Sequence, residues 1–155
     1  NWWRAAHTSI YDEETRALID EHKSYIDANR ARSLWQTAIN SKWEQDPVWV
    51  HGDVASGNLL IKDNQLSAVI DFGCMGIGDP ACDLTIAWTF FKGTSRMRFK
   101  EHIALDEQTW QRARGWAMWK ALYEISVLVD KSGQALAKQL QIINDVLEEH
   151  SSITM

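Results

Sequence analysis

A chain of 155 residues with 45% hydrophobic content is sized for a single core, since domains typically hold roughly 100 to 200 residues. Its formal charge of -5, with acidic and basic residues mixed along the chain, supplies no basic patch of the kind that nucleic acid or an anionic membrane surface attracts, and both are excluded as partners. The apolar runs fall far short of the roughly 20 residues that span a bilayer and no basic-then-apolar signal stands at Asn1, so the protein is expected to be soluble and cytoplasmic.

In chain order, residues 12–28 are rich in helix formers and begin on Asp12, Glu13 and Glu14, which complement a helix dipole. A second helix is expected over 30–42, where Leu34, Trp35, Ala38 and Ile39 share one face. Pro47 closes that region, and three short β-prone runs follow at 48–50, 59–61 and 66–70, the last two joined as a hairpin through the turn at 62–65. Gly73, Gly76, Gly78 and Pro80 mark 72–82 as loop. Helices are expected again over 83–92, 96–103, 107–131 and 134–150, broken at Gly93 and Ser132-Gly133, with Gly115 weakening the longest. Nine tryptophans are explained best by packing, because such rings bury large areas. Cys74 and Cys82 are spaced for neither a zinc site nor an evident bridge and read as free thiols.

The residues that carry chemistry gather between 51 and 83: His51-Gly52-Asp53 with Asn58 five positions after Asp53, then Asp71-Phe72-Gly73, then Gly78-Asp79-Pro80 and Asp83. The first two groups stand at expected strand ends, where a rigid scaffold can aim polar side chains at a ligand. Magnesium takes oxygen ligands, commonly one or two carboxylates plus phosphate oxygens, so Asp71 and Asn58 suit a magnesium-bound nucleotide. Asp53 is then free to accept or orient the proton of an attacking hydroxyl.

An aspartate and an asparagine five apart, followed thirteen residues later by Asp-Phe-Gly, resemble the catalytic and metal loops of protein kinases. With His51-Gly52-Asp53 in place of His-Arg-Asp, and with Gly78-Asp79-Pro80-Ala81-Cys82-Asp83-Leu84 following, the sequence resembles the aminoglycoside phosphotransferase and choline kinase-like family. That resemblance is strong over residues 48–84. It implies Asp53 as catalytic base, Asn58 and Asp71 as magnesium and nucleotide ligands, Asp83 as a carboxylate bracing the catalytic loop, and His51 as an organiser of that loop. It implies an α+β fold: the mostly helical C-terminal lobe of a protein-kinase-like fold, with a small β hairpin carrying the catalytic and metal loops. The co-substrate is expected to be ATP or GTP with Mg2+, and the acceptor a small-molecule alcohol such as an aminoglycoside or similar antibiotic. The family also has an N-terminal lobe with a phosphate-holding lysine. The first 47 residues read as helix instead, so residues 1–155 are expected to form one domain of a longer protein, inactive alone.

Two other readings stay open. A kinase-like lobe could bind a ligand or partner without turnover, and Asp53, Asp71 and Asp79 could support metal-assisted hydrolysis, although no histidine cluster accompanies them. On the substrate side, Asp12, Glu13, Glu14, Glu124 and Asp130 are candidates for receiving ammonium groups, and Trp116 and Trp119 for stacking on a ring. Oligomeric state is not written in the sequence.

Overall fold

The computed structural model describes residues 4–131 and 133–154. It is a mostly helical α+β domain of two small antiparallel sheets set against a helical core. A 3-10 turn at Thr8–Tyr11 leads into α1 (Asp12–Glu21), with the three acidic residues in its first turn. This helix ends a full two turns before the sequence suggested. The reason lies at Asp27, whose carboxylate accepts hydrogen bonds from Asn29 and Arg30 N–H and so starts a separate helix, α2 (Ala28–Asn40). A side chain that satisfies the first free amides of one helix competes with continuation of the previous one.

Strand β1 (Val48–Val50) is followed by the catalytic-loop sequence, then by the hairpin β2 (Leu59–Lys62) and β3 (Gln65–Val69). Its turn places Asp63 and Asn64 both at positive φ, as tight hairpin connections require. The expectation of uninterrupted loop after Asp71 needs correcting. Gly76–Gly78 forms β4, which pairs antiparallel with β1. Gly-Ile-Gly carries almost no strand signal, and its small residues are explained by a neighbour distant in sequence: a Cβ on Gly78 would lie 2.1 Å from the carbonyl oxygen of Ala5, which accepts the Asp79 N–H.

The helix expected from residue 83 begins differently. Asp79 caps a 3-10 segment, Pro80–Thr85, and regular helix is confined to α3 (Ile86–Thr89). Then come α4 (Gly93–Ile103), α5 (Glu107–Val127) and α6 (Gly133–Thr154). Helix α5 is the axis of the core and is buried around most of its circumference, with α2, α6 and the 3-10 segment packed about it. Gly115 belongs in it because a Cβ there would stand 2.6 Å from Ala38 Cβ, where α5 and α2 cross. Trp35, Trp88, Trp110, Trp116 and Trp119 are core, whereas Trp49 is 70% exposed. Trp2, Trp3 and Ser132 lie outside the described residues. Among the described residues no helix is long and apolar enough to cross a membrane.

Candidate active site

The site is assembled by one carboxylate and one imidazole that tie the chain's polar loops together. Asp83, in the 3-10 segment, accepts the backbone N–H of His51 and of Gly52, one on each carboxylate oxygen, both at 2.7 Å. Two charge-assisted bonds of that length hold the loop after β1 against the helical core. Gly52 sits at φ 83°, and a Cβ on it would come within 2.2 Å of the Cys74 carbonyl oxygen. Close packing of the two loops and a left-handed backbone thus both demand glycine here.

His51 is buried and its ring spans the gap to the third loop. Nε2 donates to the Ile70 carbonyl at 2.9 Å, while Nδ1 accepts the Asp53 N–H at 3.2 Å. A neutral ring protonated on Nε2 satisfies both contacts. Its face lies 4.5 Å from the Phe72 ring, centroid to centroid. Both nitrogens are committed to backbone groups, which is a structural use of the residue.

Asp53 is partly exposed. One carboxylate oxygen receives the Lys120 ammonium at 2.6 Å, and its backbone carbonyl accepts the Asn58 amide at 2.9 Å. Burial pushes the Asp53 carboxyl upward, but Lys120, Arg4 and the Asn58 amide outweigh it and hold the group below the usual carboxylate range. It is therefore ionised at neutral pH. Asn58 closes a short 3-10 turn, Ser56–Asn58, and its carbonyl accepts the N–H of Ile70 at 3.0 Å. That bond extends the hairpin ladder by one pair beyond Leu59 and Val69 and sets Asn58 beside the start of the Asp71 loop.

Asp71 is exposed and occupies the left-handed region at φ 64°, a conformation that a non-glycine residue keeps only where its surroundings impose it. Neither its carboxylate nor the Asn58 side-chain oxygen has a hydrogen-bond partner among the described residues. One free carboxylate and one free amide oxygen are hard donors that fit magnesium, which usually completes its shell with phosphate and water oxygens.

Other sequence candidates are drawn elsewhere. Asp79 is 5% exposed, caps Ala81 N–H and pairs with the fully buried Arg112 at 2.6 Å, so it faces the core. Engaged with Arg112 in the core, Asp79 does not join Asp53 and Asp71 in the three-aspartate arrangement that the hydrolysis reading needs. Asp12 accepts from Arg16 and from the Trp35 indole, and Glu14 from the Trp119 indole at 2.8 Å. Trp116 and Trp119 are buried, packed against Tyr11 edge-on and at a tilt respectively, and covered by the Arg4 guanidinium, which makes them core rather than ligand platforms. Burial also pushes the Cys82 thiol far up, leaving it unreactive.

The profile of the phosphotransferase enzyme family matches residues 2–116. The chain belongs to that family. No curated protein and no solved structure matches the sequence. The match takes in the whole segment from His51 to Asp83 and ends within α5. Just past that end lies the residue that sequence reading missed. Lys120 reaches Asp53 from 67 positions away, and its signal is faint: a lone cation within the otherwise buried run Trp116–Leu122 of α5. Lys120 also lines a cavity of about 190 Å³ between Ala55 and Ser56 of the loop after β1, α5 and α6.

Proposed function

We propose that this chain carries the catalytic and metal-holding half of an enzyme that moves the terminal phosphate of ATP or GTP to a hydroxyl of a small molecule. The carrying observation is the setting of Asp53: an ionised carboxylate on a loop fixed by Asp83 and His51, hydrogen-bonded by the amide of Asn58, whose own carbonyl pairs with Ile70 just before Asp71. Asn58 and Asp71 would hold Mg2+, which when bound neutralises charge on the transferred phosphoryl group.

Asp53 hydrogen-bonds the acceptor hydroxyl and turns its lone pair toward the phosphorus. The acceptor oxygen to phosphorus bond forms as the bond from that phosphorus to the nucleoside diphosphate breaks, the electron pair leaving with the diphosphate and the hydroxyl proton passing to Asp53. Lys120 keeps the carboxylate charged and, with the Asn58 amide that reaches the second oxygen at 3.4 Å, fixes the carboxylate's direction. In this reading a lobe outside residues 4–154 covers the nucleotide and supplies the phosphate-holding lysine. Use of a nucleoside triphosphate fits a cytoplasmic location.

The test is made on the full-length protein with labelled ATP or GTP and a panel of alcohols. Asp53→Asn lowers kcat by about 100- to 10,000-fold while magnesium-nucleotide binding persists. Undiminished turnover in that variant would remove Asp53 from its role, and label released only as inorganic phosphate would point to hydrolysis instead.

A further inference from the structure

Trp116 carries a buried donor that no protein group satisfies. The residue is 2% exposed, and its indole Nε1 has no hydrogen-bond partner among the described residues. The other buried indoles are treated differently: those of Trp35, Trp88 and Trp119 each donate to a carboxylate. A buried N–H without a protein acceptor is met by ordered water where the surroundings are polar and leave room. Trp116 lines such a place, a cavity of about 10 Å³ that it shares with Asp53, Lys120, Thr85 and Arg4. That is the size of one water, which needs roughly 10 to 15 Å³. Trp116 and Lys120 stand four residues apart on α5, so they project from one face of the helix. From that face Lys120 reaches one oxygen of Asp53, and the Asn58 amide meets the other at 3.4 Å. A carboxylate has lone pairs for more donors than these two. Thr85 Oγ1 donates to the Cys82 carbonyl at 3.1 Å and keeps its own lone pairs.

We propose that this cavity holds one buried water, which accepts the Trp116 indole N–H and donates to the Asp53 carboxylate and to Thr85 Oγ1. Resting on the phosphotransferase reading above, Trp116 is then a positioning residue for Asp53. About three hydrogen bonds are what a buried water typically makes. The walls select against ions, since Arg4 and Lys120 oppose a cation and Asp53 an anion. A water-mediated link is nearly as favourable in enthalpy as a direct bond, and here it adds something that Lys120 does not. Lys120 ends a flexible four-carbon stem, whereas the Trp116 ring is held edge-on by the rings of Tyr11 and Trp119. Through the water the packed core fixes the carboxylate, and placement of that oxygen is what the reaction draws on.

The test compares the full-length protein with its Trp116→3-benzothienylalanine variant, an isostere that keeps the bicyclic ring and puts sulfur in place of the N–H. With 15N-labelled tryptophan, the indole resonance missing from the variant assigns Trp116 Hε1. That proton is expected to show cross-relaxation with a long-lived water, and a crystal structure of the parent reads the same water without the variant. The variant is expected to melt lower than the parent and to lose roughly three- to tenfold in kcat, with KM for nucleotide and acceptor unchanged. A parent with no water at Trp116 Hε1, or a variant that melts at or above the parent, reveals a stranded donor in a dry cavity and overturns the water site. Retained kcat, or KM rising as kcat falls, overturns the positioning role and leaves the phosphotransferase reading standing. Absence of transfer to any alcohol overturns that reading together with the positioning role, and the water contact of Trp116 Hε1 still decides the site.

Discussion

Replacing Asp83 by asparagine removes one charge and almost no volume, yet it should loosen the whole catalytic loop. Each Asp83 oxygen accepts a backbone amide at 2.7 Å, from His51 and from Gly52, and both of those residues are buried. Asparagine can accept only one of them, because its NH2 end presents hydrogens to the second amide. An amide donating to a charged acceptor contributes about 1.5 to 3 kcal/mol, and a stranded buried donor costs about 1 to 3 kcal/mol. Asp83 is itself half-buried, so water can relieve part of the loss. The expected destabilisation for Asp83→Asn is about 3 kcal/mol, near the upper end for point substitutions. Urea unfolding with the midpoint and slope both fitted reads the total, and amide hydrogen exchange at His51 and Gly52 reads the site. A variant within about 0.5 kcal/mol of the parent, with both amides as protected as before, would refute the view that this carboxylate fixes the loop.

Gly115→Ala should destabilise by about 1 to 3 kcal/mol through overpacking, because its Cβ would stand 2.6 Å from Ala38 Cβ with the Trp35 ring next to it; a melting temperature equal to the parent's would show that α2 and α5 can separate freely. Stability should also fall in acid through Glu149. Burial pushes that carboxyl up, but Lys100 and Arg114 outweigh it and hold its folded-state pKa below the unfolded value. The unfolded chain then takes up the proton first, so the contribution is present above the unfolded carboxylate pKa and disappears as pH falls through the folded one. Unfolding free energy followed from neutral pH into the acid range should drop less steeply in Glu149→Gln than in the parent, and parallel profiles would place the acid sensitivity elsewhere.

What could be read in advance follows from how local each determinant is. The helical core, the hairpin with its Asp63-Asn64 turn and the spacing of Asp53, Asn58 and Asp71 are written within a few residues of where they act. Strand β4 was illegible because its glycines answer to Ala5, more than seventy positions earlier, and not to strand propensity. The early end of α1 was misjudged for the opposite reason. The signal, Asp27 as a cap, was local but lay within a run of good helix formers and was outvoted by them.

Asp79 and Asp83 show how far the same chemistry can diverge over one turn of chain. Both are carboxylates in Asp-Pro-Ala-Cys-Asp, and both accept backbone amides. Asp79 turns inward to the fully buried Arg112, where an unpaired charge would be costly, so the pair serves the core as a unit. Asp83 turns outward to two amides that no other described group satisfies and thereby carries the order of the core into the loop of Asp53. On α5, Arg112 and Lys120 are two helical turns apart; one anchors Asp79 and the other Asp53. A single long helix thus holds the 3-10 segment and the Asp53 carboxylate in a common frame. Rigid placement of a charged oxygen, which the proposed phosphoryl transfer needs more than it needs a strong base, comes from that frame and not from the motif alone.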